Sequence, residues 1–128
     1  MLSEQKVREN NLRWFDTCNT KDMNAIASLW DELVAPNVVY HNPGAGVLGR
    51  EGFLELLRGF LNESPDLHFN APDDLIMQGD KIAVRRSYSR TYPASGRRQT
   101  CLNMYICHFS GDKITEVWEV AGPWQDEA

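Results

Sequence analysis

Ser110-Gly111-Asp112-Lys113-Ile114-Thr115-Glu116-Val117-Trp118-Glu119 opens on a tight turn and continues as an alternating strand; Gln78-Gly79-Asp80-Lys81-Ile82-Ala83-Val84-Arg85 does the same earlier in the chain. A glycine between short polar residues supplies the backbone freedom of a hairpin turn. The strands flanking each turn therefore run antiparallel. Four strands follow from the alternation: Leu67 to Met77, Lys81 to Tyr92, Arg97 to Phe109 and Lys113 to Ala121. Pro93-Ala94-Ser95-Gly96 joins the middle pair.

Upstream of Pro65 the period is helical. Val7, Trp14, Phe15 and Cys18 share one helical face in a segment that Ser3 is placed to cap. Ile26, Leu29, Trp30 and Leu33 repeat the spacing in a second helix, which Pro36 is expected to end. Val38-Val39-Tyr40 is a short β-type run halted by Asn42-Pro43-Gly44. Phe53, Leu56, Leu57, Phe60 and Leu61 mark a third amphipathic helix, stopped before Pro65. Helices followed by a meander make an α+β plan, with the helices covering one face of the sheet.

The chain has 128 residues, enough for one domain over 1–128 and too few for two cores. Hydrophobic residues make up 42% and charged residues 24%, an ordinary globular balance. Eighteen acidic against thirteen basic residues give a net charge of −5, which disfavours nucleic acid or anionic membrane as partner. Apolar runs are too short to span a bilayer, and residues 1–10 are polar without a signal-peptide core. A cytoplasmic location is expected. The three cysteines, Cys18, Cys101 and Cys107, have no zinc or redox spacing. Cys101 and Cys107, if on one strand, stand about 20 Å apart, too far to bridge. Cys18 is left able to approach either one, and free buried thiols are the expected state.

Gly44-Ala45-Gly46-Val47-Leu48-Gly49 spells the dinucleotide fingerprint, with Asp66 where a ribose-binding acid would be sought. That fingerprint needs alternating parallel strands and crossover helices. Hairpin-joined strands do not provide them, so the segment reads as a loop leading into the third helix.

Asn37-Val38-Val39-Tyr40-His41-Asn42-Pro43, with Gly49-Arg50-Glu51-Gly52-Phe53 after it, resembles the strand-loop-helix entry of nuclear-transport-factor-2-like proteins, particularly the SnoaL-like polyketide cyclases. Pro65-Asp66-Leu67 and the two hairpins quoted at the outset are similar to that family's later elements, in the same order. The resemblance implies a cone-shaped, curved mixed or antiparallel sheet wrapped around the three N-terminal helices, a cystatin-like α+β roll enclosing a pocket. It also implies a homodimer. It does not fix an activity, because the fold hosts several chemistries and non-catalytic binders.

With the cavity face taken from the resemblance, strand parity assigns its residues. Tyr40 and Asn42 share a face, as do Arg85 and Ser87, Asn103 and Tyr105, and Val117 and Glu119. Glu119 is the candidate catalytic carboxylate, with Arg85 as the guanidinium that keeps it ionised and oriented. Trp14, Tyr40, Asn42, Ser87, Asn103 and Tyr105 are the expected substrate-binding set, and His41 joins it if the strand bends at Pro43. Each also has a plainer reading. Arg85–Glu119 is equally a structural bridge, Tyr40 and Trp14 core aromatics, and Asn42 an Asx turn. His41, His68 and His108 lack metal-ligand spacing, and no metal or organic cofactor is expected. Arg85, Arg86, Arg90, Arg97 and Arg98 read as a solvated strand end. Val84, Tyr88, Leu102, Met104, Ile106 and Trp118 fall on the outer face, where an apolar surface points to a homodimer.

Other relatives of the fold offer patterns to compare. In the ketosteroid isomerases a Tyr and two Asp act, where this chain has Trp14, Asn42 and Tyr105. In limonene-epoxide-hydrolase relatives a Tyr, an Asn and an Asp-Arg-Asp set act; Tyr40, Asn42 and Arg85 match, Glu119 replaces one acid and Ser87 the other. Three readings stay open. One is a small-molecule-binding, cofactor-independent cyclase or isomerase working by acid–base chemistry on an apolar carbonyl compound. The others are a non-catalytic ligand- or partner-binding domain and an epoxide-opening enzyme.

Overall fold

The structure, a computed structural model, describes residues 2–127. Met1 and Ala128, the ends of the expected 1–128 domain, lie outside the described residues. Helix α1 spans Glu4–Asn19, and its cap is the expected one, Ser3 accepting from the Lys6 amide at 3.1 Å. Helix α2 spans Met23–Leu33 and starts at Asp22, whose carboxylate accepts from Asn24 N and Ala25 N. Each side-chain oxygen satisfies amides that a first turn otherwise leaves open. Helix α3 spans Arg50–Glu63.

Pro36 does not terminate α2, which ends at Leu33; it sits inside strand β1, Val34–Asn42. The pairing of β1 with the strand Lys113–Ala121 shifts register between Val34 and Val39, so the missing proline N–H falls in an irregular stretch. Strand β2, Gly46–Leu48, folds back antiparallel on β1, with Gly46 at φ 87°. The glycine-rich segment is thus the tip of a hairpin.

The expected strand from Leu67 to Met77 is two strands, β3 (His68–Phe69) and β4 (Asp74–Gln78). Pro72, which lacks an N–H, lies between them, and both pair antiparallel with β5 (Lys81–Thr91). Then come β6 (Arg98–Ser110), β7 (Lys113–Ala121) and a short β8 (Gln125–Asp126) on β6. The turns at Gly79 and Gly111 both take φ 59°, the left-handed region that a glycine enters without cost. The sheet runs β2-β1-β7-β6-β5-β3, with β4 also on β5. The β4-β5-β6-β7 meander is antiparallel, as the turns required, and β1 joins it parallel to β7.

Among the described residues, three helices and one large mixed sheet therefore make the expected α+β architecture. The core forms where the helices meet one sheet face: Phe15, Cys18, Ile26, Trp30, Leu54 and Leu57 pack with Val34, Val38 and Phe69. Among the described residues, no helix is long and apolar enough to cross a membrane. Cys18, Cys101 and Cys107 are free and buried.

The outer face keeps Leu102, Met104, Ile106, Trp118 and Val120 exposed, at 49, 48, 46, 37 and 51%. Val84 does not belong with them, being 2% exposed in the interior, and Tyr88 also faces inward against Phe69.

Candidate functional site

A cavity of about 370 Å³ opens between the helices and the inner sheet face. Its aromatic wall is built by spacing: Trp14 of α1, Trp30 of α2 and Phe53 of α3 each lie on the inward stripe of their helix. The Trp30 and Phe53 rings stack at 4.1 Å, Trp14 meets Trp30 at 5.5 Å, and Phe53 meets the edge of Tyr40 at 4.8 Å. Trp14 is thus both core aromatic and cavity lining.

The polar wall comes from the sheet. Glu119 of β7 keeps only 13% of its side chain exposed. The Tyr40 hydroxyl donates to Glu119 Oε1, and Asn42 Nδ2 donates to the Tyr40 oxygen at 3.0 Å. Asn42 also closes the Asx turn, its Oδ1 accepting from Gly44 N at 2.9 Å. The Tyr88 hydroxyl points at Glu119 Oε2 from 3.4 Å, and Arg86 Nη2 lies 3.7 Å from the same oxygen. Arg86 Nη2 donates to the Tyr88 hydroxyl at 2.6 Å. Tyr105 accepts from Asn11 Nδ2 at 2.5 Å, and Asn103, 1% exposed, donates to Val120 O at 3.2 Å. Glu63 and Asp112 also border the cavity, but both are exposed.

Several expected site residues therefore meet: Trp14, Tyr40, Asn42, Asn103, Tyr105 and Glu119 all line the cavity. Three do not. Arg85 faces outward, bonded to Asp74 at 2.8 Å and 3.7 Å from Asp73, so it is not the partner of Glu119. Ser87 shares that outer side, its hydroxyl accepting from Asn70 Nδ2 at 2.8 Å. His41 stacks on Trp118, rings 5.1 Å apart and 4° from parallel, and holds Glu116 at 2.6 Å. The chain does not bend at Pro43 enough to turn His41 inward, because β1 keeps its ladder through Asn42.

The guanidinium that meets Glu119 is that of Arg86, next in sequence to the one expected. The β5–β6 register pairs Arg86 with Asn103 and Val84 with Tyr105, so inward residues are even-numbered on β5 and odd-numbered on β6. Strand alternation fixes faces within a strand and says nothing across the connection at 92–97. A local signal did exist: Ile82 and Val84 mark the apolar, inward row, and Arg86 and Tyr88 continue it. Arg90 follows on that row, buried at 7% with Ser64 and Gln99 as partners. Arg86 and Arg90 therefore leave the supposed solvated cluster.

Burial first, then the neighbouring Glu119 charge, pushes the Tyr40 and Tyr88 hydroxyls well above their usual range. Both phenols stay protonated and serve as donors. Burial would lower the Arg86 pKa, but Tyr88 and Glu119 among its neighbours offset this and leave it raised, so Arg86 carries its charge. The group as built is a carboxylate fixed by phenol donors, beside a permanent cation, in an aromatic cavity. Such a set can exchange a proton with a carbon acid and stabilise the resulting anion.

No curated protein matches the sequence significantly. Among solved structures, IdmH of Streptomyces antibioticus, described as a candidate polyketide cyclase, is similar at 23% identity and TM-score 0.75, over 89% of this chain and 91% of that one. TsrD of Streptomyces laurentii is similar at 23% identity and TM-score 0.77, over 94% and 91% of the two chains. A SnoaL-like polyketide cyclase of Agrobacterium tumefaciens is similar at 22% identity and TM-score 0.72, over 95% and 93%. These likenesses establish a shared fold. The profile of the SnoaL-like domain matches residues 12–117, and the chain belongs to that family.

Proposed function

We propose that the protein is a cofactor-independent enzyme that moves a proton beside a carbonyl group of an apolar metabolite, as in an isomerisation or an aldol-type ring closure, with Glu119 as the acid–base group. The observation that carries this reading is the setting of Glu119, 13% exposed in an aromatic cavity and held by Tyr40 and Tyr88 with Arg86 at 3.7 Å. A base must be held in one place to act on a carbon acid, and phenols that remain protonated can hold it without competing for the proton. The polyketide cyclase descriptions of the Streptomyces antibioticus and Agrobacterium neighbours agree with such chemistry. Exchange of α-protons of a bicyclic ketone such as 2-tetralone into D2O, followed by NMR, tests it directly.

A second reading, a receptor that returns its ligand unchanged, draws on the fact that both Glu119 oxygens already have partners. A ligand recovered intact, with no exchange at any pH, favours it. The epoxide-opening pattern gains an inward arginine at 86, but two residues on it meets Tyr88 where a second acid is needed. Diol formation from a cyclic epoxide tests that pattern.

The outer sheet face supports self-association. Leu102, Met104, Ile106, Trp118 and Val120 form an exposed apolar strip across β6 and β7, a surface that a second copy can cover.

A further inference from the structure

Arg86 is a cation shut in an aromatic box. Its guanidinium carbon lies 4.5 Å from the Phe15 ring centroid, 5.2 Å from Phe69, 4.1 Å from Tyr88 and 5.8 Å from Tyr105. It is 3% exposed, and Nε and Nη1 have no hydrogen-bond acceptor among the described residues. Among the described residues, Glu119 is the carboxylate within ion-pair reach, and Tyr88 stands between the two. Four rings leave the cation little room to move, so its counter-charge must come to it.

The two phenols on Glu119 are not equivalent. Tyr40 donates to Glu119 Oε1 and is buttressed by Asn42, so its proton is committed. Tyr88 sits 3.4 Å from its carboxylate oxygen, too long for a strong bond, while Arg86 Nη2 donates into its oxygen at 2.6 Å. A cation donating to a hydroxyl oxygen polarises the O–H bond and makes it a better donor. The Tyr88 proton is therefore the one that a ligand oxygen can take over.

We propose that the cavity takes an enolisable ketone with a flat apolar flank, that Tyr88 donates to its carbonyl oxygen, and that Arg86 acts through Tyr88 as the fixed counter-charge of the enolate. This rests on Glu119 as the base and names what receives the charge that Glu119 gives up. In the step, Glu119 takes the α-proton, the C–H electron pair becomes the C=C bond, and the carbonyl π pair moves to oxygen. Glu119 becomes neutral as the ketone oxygen becomes anionic. One negative charge stays beside Arg86 throughout, so the buried cation never loses its partner. Trp14, Trp30 and Phe53 supply the wall for the flat flank. Tyr88 is thus a catalytic residue, and Arg86 a positioning and charge-balancing one.

The test uses the full chain and 2-acetyl-1-tetralone, a bicyclic β-diketone whose enol and enolate absorb at different wavelengths. In Glu119→Gln the protein carboxylate is gone and Arg86 awaits an anion. The enolate-to-enol ratio of the bound diketone is expected to exceed that of the free compound at the same pH by 10-fold or more. Adding Arg86→Met, or separately Tyr88→Phe, returns the ratio to the free value, while adding Arg85→Ala, which lies on the outer face beside Asp73 and Asp74, leaves it raised. Tyr88→Phe removes one oxygen and keeps the ring, so it decides the matter if Arg86→Met does not fold. No binding by Glu119→Gln, a ratio equal to that in solution, or a raised ratio that survives Tyr88→Phe overturns the proposal. Unchanged α-proton exchange in Glu119→Gln is a separate outcome, which overturns Glu119 as the base.

Discussion

The Tyr40 hydroxyl donates to Glu119 Oε1 and so ties β1 to β7 across 79 residues of chain, at the polar wall of the cavity. Tyr40 is 2% exposed, and its hydroxyl also accepts from Asn42. One oxygen atom therefore links the turn after β1 to the candidate base. Tyr40→Phe keeps the ring against Phe53 and removes that link. It leaves a carboxylate oxygen and an amide donor without partners, at a cost of about 1–2 kcal/mol. Thermal unfolding is expected to show a Tm lower by several degrees, together with slower α-proton exchange.

Arg85 and Arg86 are adjacent in sequence and opposite in setting. Arg85→Ala, on the outer face beside Asp73 and Asp74, is expected to leave both Tm and α-proton exchange unchanged. Arg86→Met removes the cation from its box and strands Glu119, and breaking such a buried pair costs about 3–5 kcal/mol. Denaturant unfolding of the two variants side by side measures the contrast.

Burial pushes the Cys18 thiol up to about 12 and raises Cys101 and Cys107 as well. Little thiolate exists at pH 8, so iodoacetamide is expected to label none of the three in the folded protein and all three in guanidinium chloride. The same shifts give stability a direction. For these thiols, and for Tyr40, Tyr88 and Tyr105, the folded pKa lies above the unfolded one, so the protonated form favours folding. That contribution is complete below the ordinary thiol value of 9.0 and fades as the pH climbs toward 12. Tm measured across this range is expected to fall steadily from about pH 9.

The outer strip predicts a dimer. Light scattering at micromolar concentration is expected to give twice the chain mass for the wild type and the monomer mass for Ile106→Glu. Ile106 is 46% exposed, so the substitution leaves the cavity side untouched. A monomeric wild type would remove the self-association proposal without affecting the site.

The sheet was legible where turns carried glycine, at Gly79 and Gly111, and the helices where apolar residues recurred at helical spacing. Pro72 was visible, but alternation on both sides of it masked the break between β3 and β4. The parallel pairing of β1 with β7 left no mark, because it joins segments far apart in the chain. Glu119, Tyr40 and Asn42 were legible as cavity-facing because the β6–β7 hairpin is tight and the resemblance supplied the face. Arg86 and Tyr88 were missed because the register of β5 against β6 is set by pairing across the 92–97 connection, which strand alternation alone cannot carry. His41 beside Trp118 shows the complementary point: its neighbours on β1 face the cavity, and pleating turns it away.

Glu119 is proposed to exchange a proton with a carbon acid inside the cavity. NMR of 2-tetralone in D2O with the wild type and with Glu119→Gln tests it most directly. The wild type is expected to accelerate loss of the α-proton signal over buffer, and Glu119→Gln to reduce that acceleration by about 100-fold or more. A wild type no faster than buffer, or a Glu119→Gln variant as fast as the wild type, would contradict it.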